Sequence, residues 1–124
     1  MILYGLAVHI VAGKTLKALG HTSGNNSIWP DRLVIKGIYS AMRHPQHLGL
    51  TLIPMGIGCL IGSFQAVLAA GWTVAAAFFF VLAVEEPECI RKFGQDYFHY
   101  MEQTPPFSLR PSALIQGIKF IKGL

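Results

Sequence analysis

Two short polar clusters flank a long stretch without charge, and their side chains are the ones that could carry chemistry. The first cluster is Arg43-His44-Pro45-Gln46-His47, and the second is Glu85-Glu86. Arginine and histidine donate hydrogen bonds to a carboxylate, whereas a glutamate accepts them from an ammonium group. A pocket that contains both clusters would therefore suit the zwitterionic end of an amino acid.

The segment between the clusters must bring them together. Residues 48 to 84 contain no charged side chain, and Gly62-Ser63-Phe64-Gln65 divides them into two apolar halves. The first half contains Pro54 and several glycines, which predict a kinked and closely packed helix. The second half is long enough to cross a bilayer core of about 30 Å. A hairpin of these halves would return the glutamates to the depth of Arg43 and His44.

The composition indicates a membrane protein. The chain has 124 residues, of which 52% are hydrophobic and 13% charged, and its mean hydropathy is +0.47. Soluble domains carry about 25% charged residues. A further apolar segment spans residues 2 to 19, and its basic residues Lys14 and Lys17 follow the apolar run. A signal peptide has its basic residues before the apolar run, so this segment is predicted to be a membrane helix instead. We therefore predict an all-α integral membrane bundle with about three hydrophobic segments, including the 48–84 hairpin.

Charge placement predicts the topology. If the three segments cross, all ten Lys and Arg residues lie on one side, which the positive-inside rule makes cytoplasmic. That side receives a loop over 20–47, with turn-forming residues at 21–31, and a helical tail over 85–124 that binds the ligand. The sequence of residues 111–124 predicts a short helix that begins at Ser112 and lies on the membrane interface. This helix would present four apolar residues to lipid: Leu114, Ile115, Ile118 and Ile121. We expect it to be dispensable for catalysis. The net charge of +4 is attributed to anionic lipid and not to nucleic acid.

Three motifs around the hairpin give the chain a family resemblance. The first opens the hairpin, the second closes it and the third follows in the tail; they comprise Gly37, Tyr39, Arg43, His44, Pro45 and Gly49, then Glu85 and Glu86, then Phe93, Gly94, Tyr97, Tyr100 and Pro105-Pro106-Phe107. Over residues 32–110 the chain resembles the isoprenylcysteine carboxyl methyltransferase and phospholipid methyltransferase superfamily of integral-membrane enzymes. One position departs from the family pattern, because His47 stands where a tyrosine is usual.

The resemblance implies S-adenosylmethionine as the methyl donor, bound at the cytoplasmic mouth of the hairpin. The residues that it implies for cofactor binding are His44, Pro45, His47, Gly49, Glu85, Glu86, Tyr97 and Tyr100. We expect His44 to bind the cofactor's carboxylate, and Glu86, together with Glu85, to bind its amino group. Arg43 and Glu85 are the predicted catalytic residues.

Arg43 would orient an anionic group of the acceptor separately from His44. If the acceptor is an amine or a thiol, Glu85, Glu86 or His44 could take its proton. The acceptor itself would be amphipathic: a prenylcysteine-like carboxylate, a phospholipid amine, or a small hydrophobic thiol or acid.

Other interpretations stay open at this point. A sterol-reductase-like enzyme that uses NADPH is suggested by the tail sequence Cys89-Ile90-Arg91-Lys92-Phe93-Gly94, although Glu85-Glu86 would repel a dinucleotide. A non-catalytic membrane interaction subunit is suggested by the small number of hydrophobic segments ahead of the motifs. In a homo-oligomer, a second protomer would complete the wall of the pocket. A metal site at His44, His47 and His99 is disfavoured, since no ligand motif repeats, and we predict no metal.

Overall fold

The computed structural model describes residues 1–21 and 32–124, and it contains only helical elements in that part of the chain. They are α1 (Ile2–Leu19), a 3₁₀ turn (Gly37–Ser40), α2 (Pro45–Ile61), α3 (Phe64–Phe80), a π-helical turn (Val81–Glu85), α4 (Glu86–Phe93), α5 (Gln95–Gln103) and α6 (Pro111–Lys122). The prediction of an all-α fold is confirmed. The loop predicted at 21–31 lies, apart from His21, outside the described residues.

Within residues 1–21 and 32–124, two helices are long and apolar enough to cross a membrane. One is α1, and the other is the continuous helix Phe64–Phe93, which joins α3, the π turn and α4. The side chains of Phe64, Trp72 and Phe79 on α3 are 72 to 78% exposed. Large rings in contact with water would be costly, so this surface is the one that a bilayer would cover. The apolar helix α2 is shorter, with 17 residues.

The hairpin turn forms where the sequence predicts it. Helix α2 begins with Pro45 in its first turn, has His44 at its N-cap, and continues through Pro54 to Ile61. Gly62 then adopts a left-handed conformation with φ of 74°, which glycine adopts without steric cost. The hydroxyl of Ser63 accepts a hydrogen bond from the Ala66 N–H at 3.1 Å and caps α3.

Helices α1 and α2 pack with their backbones in close contact. A Cβ added to Gly5 would lie 2.8 Å from the Gly49 carbonyl oxygen, and one added to Gly49 would lie 2.5 Å from the Gly5 carbonyl oxygen. Gly56 lies similarly close to Ile2. Small residues allow such an approach in membrane helices. Gly49, which is among the predicted site residues, therefore lies at the α1–α2 interface.

The end of the hairpin differs from the prediction. We expected the helix to end near residue 84, with Glu85-Glu86 at its exit, but the helix continues to Phe93. Pro87 lies in the first turn of α4. Proline cannot donate to the carbonyl one turn earlier, and here the hydrogen-bond pattern in the preceding turn changes to the π type. The helix therefore passes the proline without stopping.

Helix α6 also differs from the prediction. It begins at Pro111 instead of Ser112, and a Cβ added to its buried Gly117 would meet Val11 at 2.8 Å and Ile38 at 3.0 Å. Leu114 and Ile121 pack against the core, whereas Ile115 and Ile118 are exposed. The helix therefore packs on α1 and the 3₁₀ turn, and the expectation that all four apolar residues face lipid is wrong for two of them.

Candidate functional site

The π turn directs two consecutive glutamates toward the start of α2. The Glu86 N–H donates to the Val81 carbonyl, five residues earlier, where an α-helix would use the carbonyl four residues earlier. The extra residue in this turn rotates the following chain. Glu85 and Glu86, which adjoin in the sequence, both reach the Arg43–His47 cluster as a result.

Four short contacts join the two polar clusters. Arg43 Nη1 lies 2.5 Å from Glu86 Oε1, and His44 Nε2 lies 3.0 Å from the same oxygen. The other nitrogen of His44 is 3.5 Å from Glu85 Oε2, and His47 Nε2 is 2.9 Å from Glu85 Oε1. The structure thus brings together the groups that the hairpin was expected to juxtapose. We expected separate directions for Arg43 and His44, but both contact one oxygen of Glu86.

The segment Pro105–Phe107 holds the Arg43–His44 backbone in place. The Arg43 N–H donates to the Pro105 carbonyl at 2.9 Å, and the His44 N–H donates to the Pro106 carbonyl at 3.0 Å. The Phe107 ring lies 6.0 Å from the His44 ring, between centroids. A residue before the first turn of a helix has no intrahelical partner for its N–H, so the prolines satisfy groups that α2 leaves free.

Two tyrosines of α5 occupy the same region but have different hydrogen bonds. The Tyr100 hydroxyl donates to the carbonyls of Tyr39 and Met42. The Tyr97 hydroxyl is buried and has no hydrogen-bond partner among the described residues, and the same is true of Arg43 Nε. Burial raises the pKa values of Tyr39, Tyr97 and Tyr100, so that these phenols stay protonated at neutral pH. Buried donors without partners are uncommon in folded proteins and mark places where a bound molecule could supply the acceptor.

A cavity of about 470 Å³ opens beside the cluster. Six of the predicted site residues line it: Arg43, His44, His47, Glu85, Tyr97 and Tyr100. Three others are not among its lining residues as the described chain defines it. Pro45 is buried at the start of α2, Gly49 packs on α1, and the carboxylate of Glu86 lies behind the cavity wall with Arg43 and His44. The side chain of Glu85 is 35% exposed and that of Glu86 is 9% exposed.

The remaining lining residues were not predicted from the sequence. They include Tyr39 of the 3₁₀ turn, Cys89 and Lys92 of α4, and an apolar group formed by Leu16, Leu33, Val34, Phe80, Val84 and Phe93. Cys89 follows Glu85 by four residues and lies on the same helical face. This signal becomes visible only when the helix is known to continue beyond Glu85. The cysteine at 89 and the one at 59 are both free.

The alternative metal site does not assemble. His99 is 72% exposed on α5 and lies 4.0 Å from Glu102, and it is not among the cavity-lining residues. In the described part of the chain, no group of three or more His, Cys, Asp or Glu residues could hold a metal ion.

An apolar helical hairpin that closes on an arginine–histidine–glutamate cluster is the arrangement that the resemblance to membrane methyltransferases implies. Residues 1–96 match the phospholipid methyltransferase family, and the chain belongs to this family. The resemblance predicted from the motifs is thereby confirmed.

Two curated relatives support the assignment. The protein-S-isoprenylcysteine O-methyltransferase of Xenopus laevis is 29% identical over 127 residues, which cover 100% of this chain and 40% of the relative. The protein of the same name from Schizosaccharomyces pombe is 30% identical over 73 residues, covering 59% of this chain and 31% of the relative. The chain thus spans less than half the length of these relatives. No solved structure matches it.

Proposed function

We propose that the protein is an integral-membrane methyltransferase that transfers a methyl group from S-adenosylmethionine to an amphipathic acceptor. One observation carries the proposal: the Arg43, His44 and Glu85 side chains meet at a cavity whose other lining residues are mostly aromatic and apolar, with Arg32, Glu88 and Lys92 among the polar ones. Such a cavity has one end for charged groups and another for a hydrophobic body, as ligand pockets commonly do.

The residues present fit this cofactor. The volume of about 470 Å³ lies within the usual range for small-molecule pockets, about 300 to 1,000 Å³. Arg43 and Tyr97 line the cavity, and Arg43 Nε and the Tyr97 hydroxyl are buried donors without a partner among the described residues, so we assign the carboxylate of the ligand to this side of the cavity. Glu85 presents an acceptor for an ammonium group, so donors and acceptor together match an amino-acid end.

We assign the residues around the cofactor from these positions. Glu85 would hold the amino group, and Glu86 would act from behind the wall by fixing Arg43 and His44. His44, Arg43 and Tyr97 would hold the carboxylate, while Phe93 and Tyr100 would contact the adenosine. Pro45 and Gly49 would act through the position of α2, since neither lines the cavity.

The chemistry requires mainly positioning and a dry site. When bound, S-adenosylmethionine supplies a methyl group on a positively charged sulfur, which is already reactive toward a nucleophile. The protein's task is to orient the two reactants and exclude water. The apolar wall that would exclude water is formed by Phe80, Val84 and Leu16.

A carboxylate is the acceptor that this site suits best. A carboxylate is ionised at neutral pH and needs no general base, whereas an amine or thiol must lose a proton. Glu85 and the two histidines could accept such a proton, but each already pairs within the cluster. The printed name of the curated relatives, isoprenylcysteine O-methyltransferase, agrees with a carboxylate on an apolar chain.

We also propose that the chain crosses the membrane three times with the cavity at the cytoplasmic face. Helix α2 rises about 26 Å at 1.5 Å per residue, which is slightly less than the hydrocarbon core of about 30 Å. With three crossings, all ten Lys and Arg residues lie on one side, as the positive-inside rule requires for cytoplasmic loops.

Calorimetric titration of the purified protein in detergent with S-adenosylmethionine, S-adenosylhomocysteine and NADPH tests the cofactor. We expect binding of the first two and none of NADPH. Binding of NADPH alone would instead support the reductase hypothesis, and binding of none would support a non-catalytic subunit.

Transfer of a radiolabelled methyl group then tests the acceptor. A prenylated cysteine with a free carboxylate should be methylated, whereas its methyl ester, phosphatidylethanolamine and a hydrophobic thiol should not. Methylation of the phospholipid or the thiol would contradict the carboxylate assignment.

A further inference from the structure

We propose that His47 positions the carboxylate of Glu85 toward the cavity, and that its protonation weakens the binding of a cationic group there. The inference depends on the proposed function for the identity of the ligand. It concerns the residue at which this chain departs from the tyrosine usual in the family.

Two contacts hold the His47 ring against the Phe64–Phe93 helix. Its Nε2 lies 2.9 Å from Glu85 Oε1, and its ring centroid lies 6.1 Å from that of Phe80. Phe80 precedes the π turn and Glu85 ends it, so the ring is held from both ends of that turn. The side chain of His47 is 24% exposed, which leaves it open to protons from solvent through the cavity.

The contact selects which oxygen of Glu85 remains available. A neutral imidazole must carry its proton on Nε2 in order to donate to Oε1. Glu85 Oε2 then has His44 Nδ1 at 3.5 Å, a distance at which a hydrogen bond is weak. This oxygen is the acceptor that His47 leaves free for an ammonium group.

The local charge depends on the state of His47. The charged groups at the cluster are Arg43, Glu85 and Glu86, whose sum is −1 when both imidazoles are neutral. Arg32, Glu88, Lys92 and the thiol of Cys89 line the same cavity. A proton on His47 would bring the cluster to zero, and one on His44 would bring it to +1. The attraction for an ammonium group therefore falls as the pH falls.

Binding of S-adenosylhomocysteine to the full chain, measured between about pH 6 and pH 8, tests the inference across the imidazole range. Relative to the parent, His47→Gln keeps an N–H donor that does not titrate, whereas His47→Phe keeps only the ring. A proton on His44 would act in the opposite sense on the carboxylate of this zwitterion, so the contribution of His47 is the difference between the parent and His47→Gln. We expect the parent to lose about fivefold more affinity at the acidic end than His47→Gln does, equivalent to the worth of about one hydrogen bond.

We expect His47→Gln to match the parent near pH 8 and to lose most of the pH dependence. We expect His47→Phe to bind more weakly at every pH, because Glu85 is no longer oriented. His99→Gln, which removes an exposed histidine outside the cavity, should keep the pH profile of the parent. The same pH profile in His47→Gln and the parent, or equal affinity of His47→Phe and the parent near pH 8, would overturn the inference.

A measurement without ligand separates this inference from the proposed function. In ¹⁵N-histidine NMR spectra near pH 8, the His47 signals are those that disappear in His47→Gln. They should report the tautomer protonated on Nε2, and Glu85→Gln should shift them. Unshifted signals would overturn the pairing whether or not S-adenosylhomocysteine binds. If the shift occurs but the parent binds no S-adenosylhomocysteine at any pH, the failure lies in the cofactor assignment.

Discussion

Glu85 and Glu86 adjoin in the sequence but lie in different environments. Glu85 faces the cavity with its side chain 35% exposed, whereas Glu86 is buried and shares one oxygen with Arg43 and His44. A charge that is buried with its partner contributes to stability mainly because its removal leaves the partner uncompensated. From the sequence we expected Glu86 to contribute more than Glu85 to ligand binding, whereas the geometry favours Glu85.

Neutralising each glutamate should therefore have a different effect. Glu85→Gln should lower the affinity for S-adenosylhomocysteine by about tenfold or more, since a charged hydrogen bond contributes about 1.5 to 3 kcal/mol. Glu86→Gln should instead destabilise the fold by about 3 kcal/mol, because Arg43 keeps its buried charge. Calorimetric binding and thermal unfolding in detergent measure the two effects. Normal stability together with the larger loss of affinity in Glu86→Gln would contradict this assignment.

Tyr100 and Tyr97 form a matched pair for separating stability from binding. Tyr100→Phe removes the donor to the Tyr39 and Met42 carbonyls and should cost about 1 to 3 kcal/mol. Tyr97→Phe removes a hydroxyl that makes no well-formed hydrogen bond in the described structure and lies beside Arg43 and Cys89, so the free energy of unfolding should fall less than in Tyr100→Phe. Affinity for S-adenosylhomocysteine should fall about fivefold in Tyr97→Phe. Equal losses of stability in the two variants would show that Tyr97 also has a structural hydrogen bond.

The same tyrosines predict how stability changes at alkaline pH. Burial raises the pKa of Tyr100 above that of an unfolded chain, which is about 10. The stabilisation is therefore complete below about pH 10 and is lost as the pH rises further, because the unfolded chain releases protons that the folded chain retains. Unfolding midpoints measured with tyrosinate absorbance should fall above this pH, and less steeply in Tyr100→Phe. An equal slope in that variant would assign the effect to other groups.

At the scale of elements, the π turn determines which side chains reach the cluster. Inserting one alanine after Ala83 should rotate Glu85 and Glu86 by about 100° relative to α3, because the turn already accommodates one extra residue. We expect loss of S-adenosylhomocysteine binding, measured by calorimetry, and of the Arg43–Glu86 pair. Ala83→Leu keeps the number of residues at an exposed position and should bind normally. Normal binding by the insertion variant would mean that the helix adjusts its register elsewhere.

The π turn also marks the limit of what the sequence predicts. The hairpin turn follows from Gly62 and Ser63, and the start of α2 follows from Pro45, since each has a local backbone reason. Pro87 after two glutamates is a typical signal for the end of a helix. Pro87 lies inside a helix here because the hydrogen bonds of the preceding turn change from the α to the π pattern. No local sequence pattern encodes that change. Cys89, Lys92 and Phe93 were missed as cavity residues for this reason.

At the scale of the whole molecule, contacts distant in the sequence were the hardest to predict. Amphipathic spacing in α6 indicated a surface helix, but whether its apolar face meets lipid or protein depends on the shape of its neighbour. Gly37 leaves space that Phe120 fills, and Gly117 allows approach to Val11. Neither fit is visible until the elements are assembled.

The proposed three crossings place the start of α3 and the end of α6 on opposite sides of the membrane. In a background of Cys59→Ser and Cys89→Ser, Gln65→Cys lies at the hairpin turn and Lys122→Cys at the end of α6. A membrane-impermeant maleimide should label only the Gln65→Cys variant in intact cells, and both variants after permeabilisation. Labelling of both in intact cells would contradict the proposed topology.

The contact between the two prolines and the start of α2 has a consequence for the order of assembly during synthesis. Arg43 and His44 donate their backbone N–H groups to Pro105 and Pro106, which emerge from the ribosome about sixty residues later. Since proline has no N–H, this segment offers carbonyls at its prolines without competing for acceptors. The apolar hairpin is thus synthesised before its polar mouth can close, and ligand-binding geometry arises only after the membrane segments have been made.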